Sequence, residues 1–454
     1  MARPNIIVFF TDQQRWDSMG LHGNPLGLTP NLDRLAGSGT HLSRHFTCQP
    51  VCGPARSCFQ TGRHATASGC TRNGISLPPS PDNLGECFRR SGYQTGYIGK
   101  WHLGPDENGP GAVPDTHRGG YDYWLAANAL EWTSDAYQTR LWNGANEPVD
   151  LPGYRVDALT DAAIRFVHGH SHREDPFFLF LSFVEPHHQN HIDDYPAPHG
   201  YRESYTGRWL PPDLEALGGS SAQHLGGYWG MVKRLDESLG RLLDALLSLG
   251  LLDNTVILFT SDHGCHFKTR NSEYKRSCHE SSIRVPGVIA GPGFNGGGEI
   301  RHLTSLLDLP PTLLESAGIP VPESYQGRSL IPLVQKKTAD WPDDVFVQIS
   351  EAECGRAVRT GRWKYAVRAP REKEGWDMRP WHGEMEEVYL YDLQCDPYEL
   401  TNLVHSAAHL PVRERMRQRL LQHMEAAGEA LPRIIPAESR PSGQRRVAAS
   451  EVDS

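Results

Sequence analysis

Apolar residues gather along this chain in short runs, and in the first two thirds many of those runs end on a charged or polar residue. Asn5 to Phe10 is almost wholly apolar and leads into Thr11-Asp12. Gln94 to Gly99 leads to Lys100, and Phe177 to Phe183 leads to Pro186-His187. Thr255 to Thr260 leads to Ser261-Asp262-His263-Gly264, and Val285 to Ala290 reads as a further strand. Runs of this length with branched and aromatic residues predict strands buried on both faces. Between them lie helical patterns. Met231, Leu235, Leu239, Leu242 and Leu246 recur at spacings of three and four, which predicts a helix from Tyr228 to Leu249 closed by Gly250. Thr29-Pro30 predicts another helix start. The alternation predicts an α/β architecture in layers. In open α/β sheets ligands bind at the carboxyl ends of strands, so Asp12, Lys100, His187 and Asp262 are candidates by placement alone.

After Leu333 the texture changes. Residues 334–338 are polar and read as a link. Val345 to Ile349, Ala357 to Arg359, Trp363 to Val367 and Glu387 to Tyr391 predict short antiparallel strands, with a helix from Val412 to Ala426 to cover them. The expected organisation is a large unit over 1–335, a small one over 340–436, and a flexible polar tail over 437–454.

The 454 residues carry a net charge of −9, which disfavours a general nucleic-acid binder while leaving room for a locally positive pocket. No run approaches the ~18 apolar residues of a membrane span. The first apolar run is followed by Asp12 rather than a cleavage site, so the expectation is a cytoplasmic protein with no membrane partner. Nine cysteines, without a Cys-x-x-Cys pair, predict free thiols rather than disulfides or a zinc cluster.

The densest chemistry lies in Cys52-Gly53-Pro54-Ala55-Arg56-Ser57, followed by Gly62-Arg63. Pro54 suits the first turn of a helix, which would put Cys52 at a helix N-terminus where free N–H groups favour an anion. Arg56 adds a permanent charge with a fork suited to a tetrahedral oxyanion. A buried structural cysteine before a capped helix would read the same way if it stood alone. It does not stand alone: Asp12-Gln13, Gly99-Lys100-Trp101-His102-Leu103-Gly104, Pro186-His187, Asp262-His263-Gly264 and Lys275 follow it or precede it in order.

In that order and spacing the chain resembles the formylglycine-dependent sulfatases. The resemblance runs from Asn5 to the Tyr389-Leu390-Tyr391-Asp392-Leu393 segment. It implies an alkaline-phosphatase-like fold: a large domain with a central mixed sheet between helices, and a small C-terminal antiparallel sheet-and-helix domain. It implies that Cys52 is oxidised to formylglycine by a generating enzyme met only transiently. It implies catalytic roles for Cys52, Arg56, Lys100, His102, His187 and Lys275. Asp12, Gln13, Asp262 and His263, with residue 52, would hold one divalent metal: calcium first, with magnesium and manganese as alternatives. Gln13 departs from the aspartate most common there, and Ala55 from the usual serine. The implied reaction is hydrolysis of a sulfate ester of a small molecule or carbohydrate. The alternatives are a phosphodiesterase or phosphonate monoester hydrolase of the same superfamily, which shares the Asp-Gln pairing, or a sulfamidase. Asn73-Gly74 is a further pocket candidate, and Trp101, Trp132, Trp142, Trp376 and Trp381 are candidate walls for a sugar or aryl group.

Overall fold

The computed structural model describes residues 3–371, 377–441 and 443–452, so Trp376 lies outside it. The large unit is built on a ten-stranded sheet. Its order is Gly298–Ile300, Thr40–Leu42, Gly287–Ala290, Thr255–Ser261, Asn5–Thr11, Phe177–Ser182, Gln94–Lys100, Tyr123–Ala127, Thr139–Asn143 and Pro148–Leu151. The strands from Thr255–Ser261 to Tyr123–Ala127 run parallel. Gly287–Ala290 and the Thr139–Asn143 and Pro148–Leu151 ribbon pair antiparallel, so the sheet is mixed, as expected.

The central strand shows why these runs carry no polar alternation. Ile6, Val8 and Phe10 enter one core with Cys58 and Phe59 of the Cys52–Thr61 helix. Ile7 and Phe9 enter the other with Leu235, Leu239, Leu242 and Leu246 of the long helix. With both faces covered, every position of Asn5–Thr11 is buried. Phe9 stacks between Phe183 and Phe259, at centroid distances of 4.6 and 5.1 Å. Phe9→Ala is expected to cost about 3–5 kcal/mol, read as a lower denaturant midpoint at unchanged slope.

The long helix spans Ser221–Ser248, starting seven residues before the apolar stripe announced it. Its first turns hold Gly226 and Gly227, which weaken a helical pattern. Their reason is contact: a Cβ on Gly227 would lie 2.2 Å from Tyr195 O, and one on Gly226 2.4 Å from Thr206 Oγ1.

The small unit is a five-stranded sheet in the order Asp344–Ile349, Gly355–Thr360, Trp363–Arg368, Glu384–Asp392, Arg433–Ile435. Four strands are antiparallel, but Arg433–Ile435 pairs parallel to Glu384–Asp392. The Leu410–Ala426 helix lays Val412, Met416, Leu420 and Met424 on Trp363, Tyr365 and Val367. The segment expected to be a flexible tail is packed where it is described. Val447 and Val452 are buried in the same core, and Val447 N–H bonds Ala408 O at 3.0 Å. Two valines among polar residues are too sparse a pattern to show this in sequence.

Trp101 is fully buried against Tyr97 and Trp124, so it packs rather than lines a pocket. Trp132 is 58% exposed and, beside Glu131, walls a cavity of about 620 Å³. All nine cysteines are free. Among the described residues no helix is long and apolar enough to cross a membrane.

Candidate active site

Because the central strands are parallel, their carboxyl ends share one edge of the sheet, and Asp12, Lys100, His187 and Asp262 arrive there together. The Cys52–Thr61 helix points its first turn at the same edge. Gly53 fits there because a Cβ would sit 2.9 Å from Asn73 Oδ1 and 3.2 Å from His102 O. Gln13 and His102 both have left-handed backbone (φ 68° and 59°), a strained state for residues with side chains that is common at functional sites.

The contacts centre on the Cys52 sulfur. Lys275 Nζ lies 2.8 Å from Sγ, His263 Nε2 3.2 Å and Asp12 Oδ1 3.5 Å. Asp12 Oδ2 accepts from Lys100 Nζ at 2.8 Å and from Arg56 Nη2 at 3.0 Å. Arg56 Nη2 also stands 3.2 Å from Asp262 Oδ2, while Nη1 donates to Ser182 Oγ and Lys100 O. Arg56 is thus a brace between the two carboxylates. Lys100 is held on its other side by Glu131 Oε1 at 2.8 Å.

Two histidines have their tautomers fixed by carbonyls, which can only accept. His263 Nδ1 donates to Gly264 O at 2.9 Å, so its Nε2 lone pair faces Cys52, Asp12 and Asp262. His187 Nδ1 donates to His188 O at 2.6 Å, leaving Nε2 to accept from Lys275 Nζ at 3.0 Å. His102 Nδ1 is buried and has no partner. Gln13 directs its side-chain oxygen to His188 N–H at 3.2 Å and its own N–H to Asp262 Oδ1 at 3.1 Å.

The electrostatics follow from burial and these neighbours. Burial alone would raise the Asp12 pKa, but Lys100, His187, Lys275 and Arg56 outweigh it and hold the carboxyl well below its ordinary range. Asp262 goes the other way, to about 7, through burial and the charge of Asp12. Burial and the cation of Lys275 keep His187 neutral, and burial takes His263 down to about 4. Burial pushes the Cys58, Cys70, Cys265 and Cys278 thiols up. Burial and Asp12 push Cys52 up too, yet Lys100, Lys275 and a hydrogen bond from His102 turn the net shift downward. Residue 52 thus sits where negative charge is welcome.

Every residue expected at the site is brought to this edge. Sequence reading missed Glu131, which sits on a single-turn helix without periodicity, and Ser182, the last residue of an otherwise apolar strand. Asn73, a pocket candidate from its sequence, buttresses the helix start. Its Oδ1 accepts Gly53 N–H at 2.9 Å, and its own N–H reaches Glu351 of the small unit at 2.7 Å.

A mixed sheet between helix layers, with paired carboxylates and three cations around one side-chain position at the strand ends, defines a hydrolase of the alkaline phosphatase-like fold. The Sulfatase family model matches residues 4–319, and the model for the C-terminal part of N-sulphoglucosamine sulphohydrolase matches residues 272–426. The chain belongs to the sulfatase family and is a sulfuric ester hydrolase. It is 29% identical over 421 residues to an ulvan-active sulfatase of Formosa agariphila, covering 89% of this chain and 77% of that one. It is 25% identical over 497 residues to an N-acetylglucosamine-6-O-sulfatase of Bacteroides thetaiotaomicron, covering 92% and 86%. A solved structure in complex with its substrate D-glucosamine-2-N,6-O-disulfate superposes with a TM-score of 0.76 at 24% identity, covering 94% of this chain and 98% of that one.

Proposed function

We propose that this sulfatase removes sulfate from a carbohydrate sulfate ester, using a formylglycine derived from Cys52 beside one divalent cation. The observation that supports it best is the convergence of Lys275, His263 and Asp12 on one buried sulfur. That Sγ stands in for the oxygens of the oxidised side chain. The saccharide class rests on the relatives, one of them ulvan-active and one acting on N-acetylglucosamine 6-O-sulfate.

The donor set fits a cation. Ligand atoms of Asp12, Cys52, Asp262 and His263 all lie within 4.8 Å of one another. Asp262 Oδ2 is buried and meets only the Arg56 guanidinium, as an ion pair at 3.2 Å, and the His263 Nε2 lone pair faces inward. A divalent ion answers the repulsion between two buried carboxylates. Asp12, Asp262 and His263 would hold it, and calcium suits the oxygen donors, with magnesium and manganese as alternatives. Gln13 would serve as a further ligand only through the oxygen that now accepts from His188. When bound, the ion supplies positive charge where the sulfuryl oxygens gather negative charge. Hydrated formylglycine supplies two hydroxyls on one carbon.

The rest falls to this chain's own side chains. Lys100 and Lys275 add charge to the site beside residue 52. Lys275 Nζ, seated on neutral His187 Nε2, delivers a proton to the leaving oxygen. His102, whose side chain reaches residue 52, takes the proton of the second hydroxyl. Glu131 fixes the Lys100 ammonium against Asp12. Glu131→Gln is expected to lower kcat/KM by about tenfold with little change in melting temperature, since it keeps the shape and removes a charge-assisted bond. Steady-state kinetics beside a thermal melt check it.

The deciding experiment has two parts. Mass spectrometry of the peptide holding Cys52 is expected to show the aldehyde; a plain thiol in an active preparation would end the formylglycine reading. The same preparation, tested on 6-O-sulfated and 2-N-sulfated glucosamine, an aryl sulfate and an aryl phosphodiester, is expected to prefer the 6-O-sulfate. Preference for the diester would move the protein to the phosphodiesterase and phosphonate branch. Preference for the 2-N-sulfate would favour the sulfamidase reading, which the match to the N-sulphoglucosamine sulphohydrolase model keeps in play.

A further inference from the structure

A large cavity lies away from Cys52, where the large and small units meet. It measures about 750 Å³, and none of Asp12, Cys52, Lys100, His187 or Lys275 lines it. Six arginines line it against two carboxylates, in a chain whose net charge is −9. Four of the six are answered by nearby acids: Arg359 by Glu280, Arg362 by Asp392, Arg419 by Asp343 and Arg301 by Glu299. Arg44 and Arg284 are not. Among the described residues no carboxylate comes within ion-pair distance of either one.

Arg284 is the more telling of the two. Its guanidinium lies 3.7 Å from the Trp16 ring centroid, and Nη2 donates to Ser43 O at 2.5 Å. Its Nε is buried and has no partner. Arg44, exposed at the cavity wall, makes no side-chain hydrogen bond among the described residues. The crowding is felt as electrostatic strain. Burial, Arg359 and Arg44 bring the Arg284 pKa down to about 10 against the pull of Glu280, and burial with Arg359 lowers that of Arg44.

We propose that this cavity is a second oxyanion site, separate from the Cys52 centre, which binds a sulfate group between Arg44 and Arg284. A tetrahedral oxyanion offers acceptors enough to bridge two guanidinium forks, which a single carboxylate oxygen does not. The volume is that of a small-ligand site and exceeds what a bare sulfate fills. Two sources share the chemistry: free sulfate, the product of the reaction, and a sulfate carried on a saccharide. The proposal does not depend on formylglycine, because the cavity uses none of those residues.

Selenate, a heavier sulfate analogue, locates the site. Crystals of the full chain soaked in selenate are expected to show anomalous density between Arg44 and Arg284, lost in Arg44→Ala crystals. Titration calorimetry in a Lys275→Ala background separates the sources, using sodium sulfate, a sulfated disaccharide and its unsulfated counterpart. Arg44→Ala is expected to weaken binding of the sulfated disaccharide by about tenfold, the loss of one charge-assisted contact. If sodium sulfate is weakened equally, the anion alone is recognised; if it binds to neither protein, the saccharide is required. Arg44 is exposed, so the variant folds, and an unchanged melting temperature documents that. No density at the cavity, together with equal affinities for parent and variant, overturns the proposal.

Discussion

Cys52→Ser is expected to react once and then stop. Serine puts one hydroxyl at the place where Lys275 Nζ stands 2.8 Å from Sγ, so the first displacement at sulfur remains chemically open. It lacks the second hydroxyl whose deprotonation by His102 would expel sulfate. A sulfated protein should therefore accumulate, and steady turnover should fall by roughly 10⁴-fold or more against the formylglycine-bearing parent. Intact-mass measurement after mixing with substrate is expected to show one added sulfuryl group on the peptide carrying residue 52. Cys52→Ala should be equally slow and carry no adduct. Steady turnover by the serine variant within tenfold of the parent would falsify the two-hydroxyl mechanism.

Asp262→Asn is expected to destroy activity while stabilising the protein freed of metal. The two effects share one cause. Burial and Asp12 raise the Asp262 carboxyl to about 7 in the folded chain, against 3.8 as an ordinary side chain. The folded state then holds this proton more tightly than the unfolded state does. Stability consequently declines as pH rises from about 3.8 to about 7, and the full penalty is present above that window. Asp12 acts in the opposite sense, because its carboxyl is held below the ordinary range and its contribution is lost only in stronger acid. Asparagine removes the Asp262 penalty but offers the ion a neutral oxygen. With chelator at pH 8 the variant is expected to melt above the parent, and added calcium should raise the parent alone. Turnover of the variant should fall by roughly 10³-fold, as for the loss of one strongly polarising group. A variant that melts below the parent in chelator, or that gains as much from calcium, would show that no ion is held there.

The legibility of this site follows from where its parts lie. Strand ends were readable because Asn5–Thr11, Phe177–Ser182 and Thr255–Ser261 are apolar on both faces and stop abruptly at a charge. The helix start at Cys52 was readable from Pro54. What escaped was fixed by contacts distant in sequence. Glu131 matters because Lys100, 31 residues earlier, reaches it. Ser182 matters because Arg56 does. The early start of the long helix escaped because Gly226 and Gly227 serve Tyr195 and Thr206 rather than helix propensity. The parallel edge strand Arg433–Ile435 is three residues long, below the length at which alternation means anything.

Cys52 is 1% exposed, beneath Lys275 and at the foot of a helix whose every residue is buried. A macromolecular catalyst cannot reach a sulfur so deep once the sheet and helix have closed. If the thiol is to be oxidised, the encounter must come first, on a chain still extended. Maturation then becomes a race against collapse, and molecules that win the fold too early stay inert for life. The active fraction of any preparation would be set during synthesis, by how long that short segment remains uncovered.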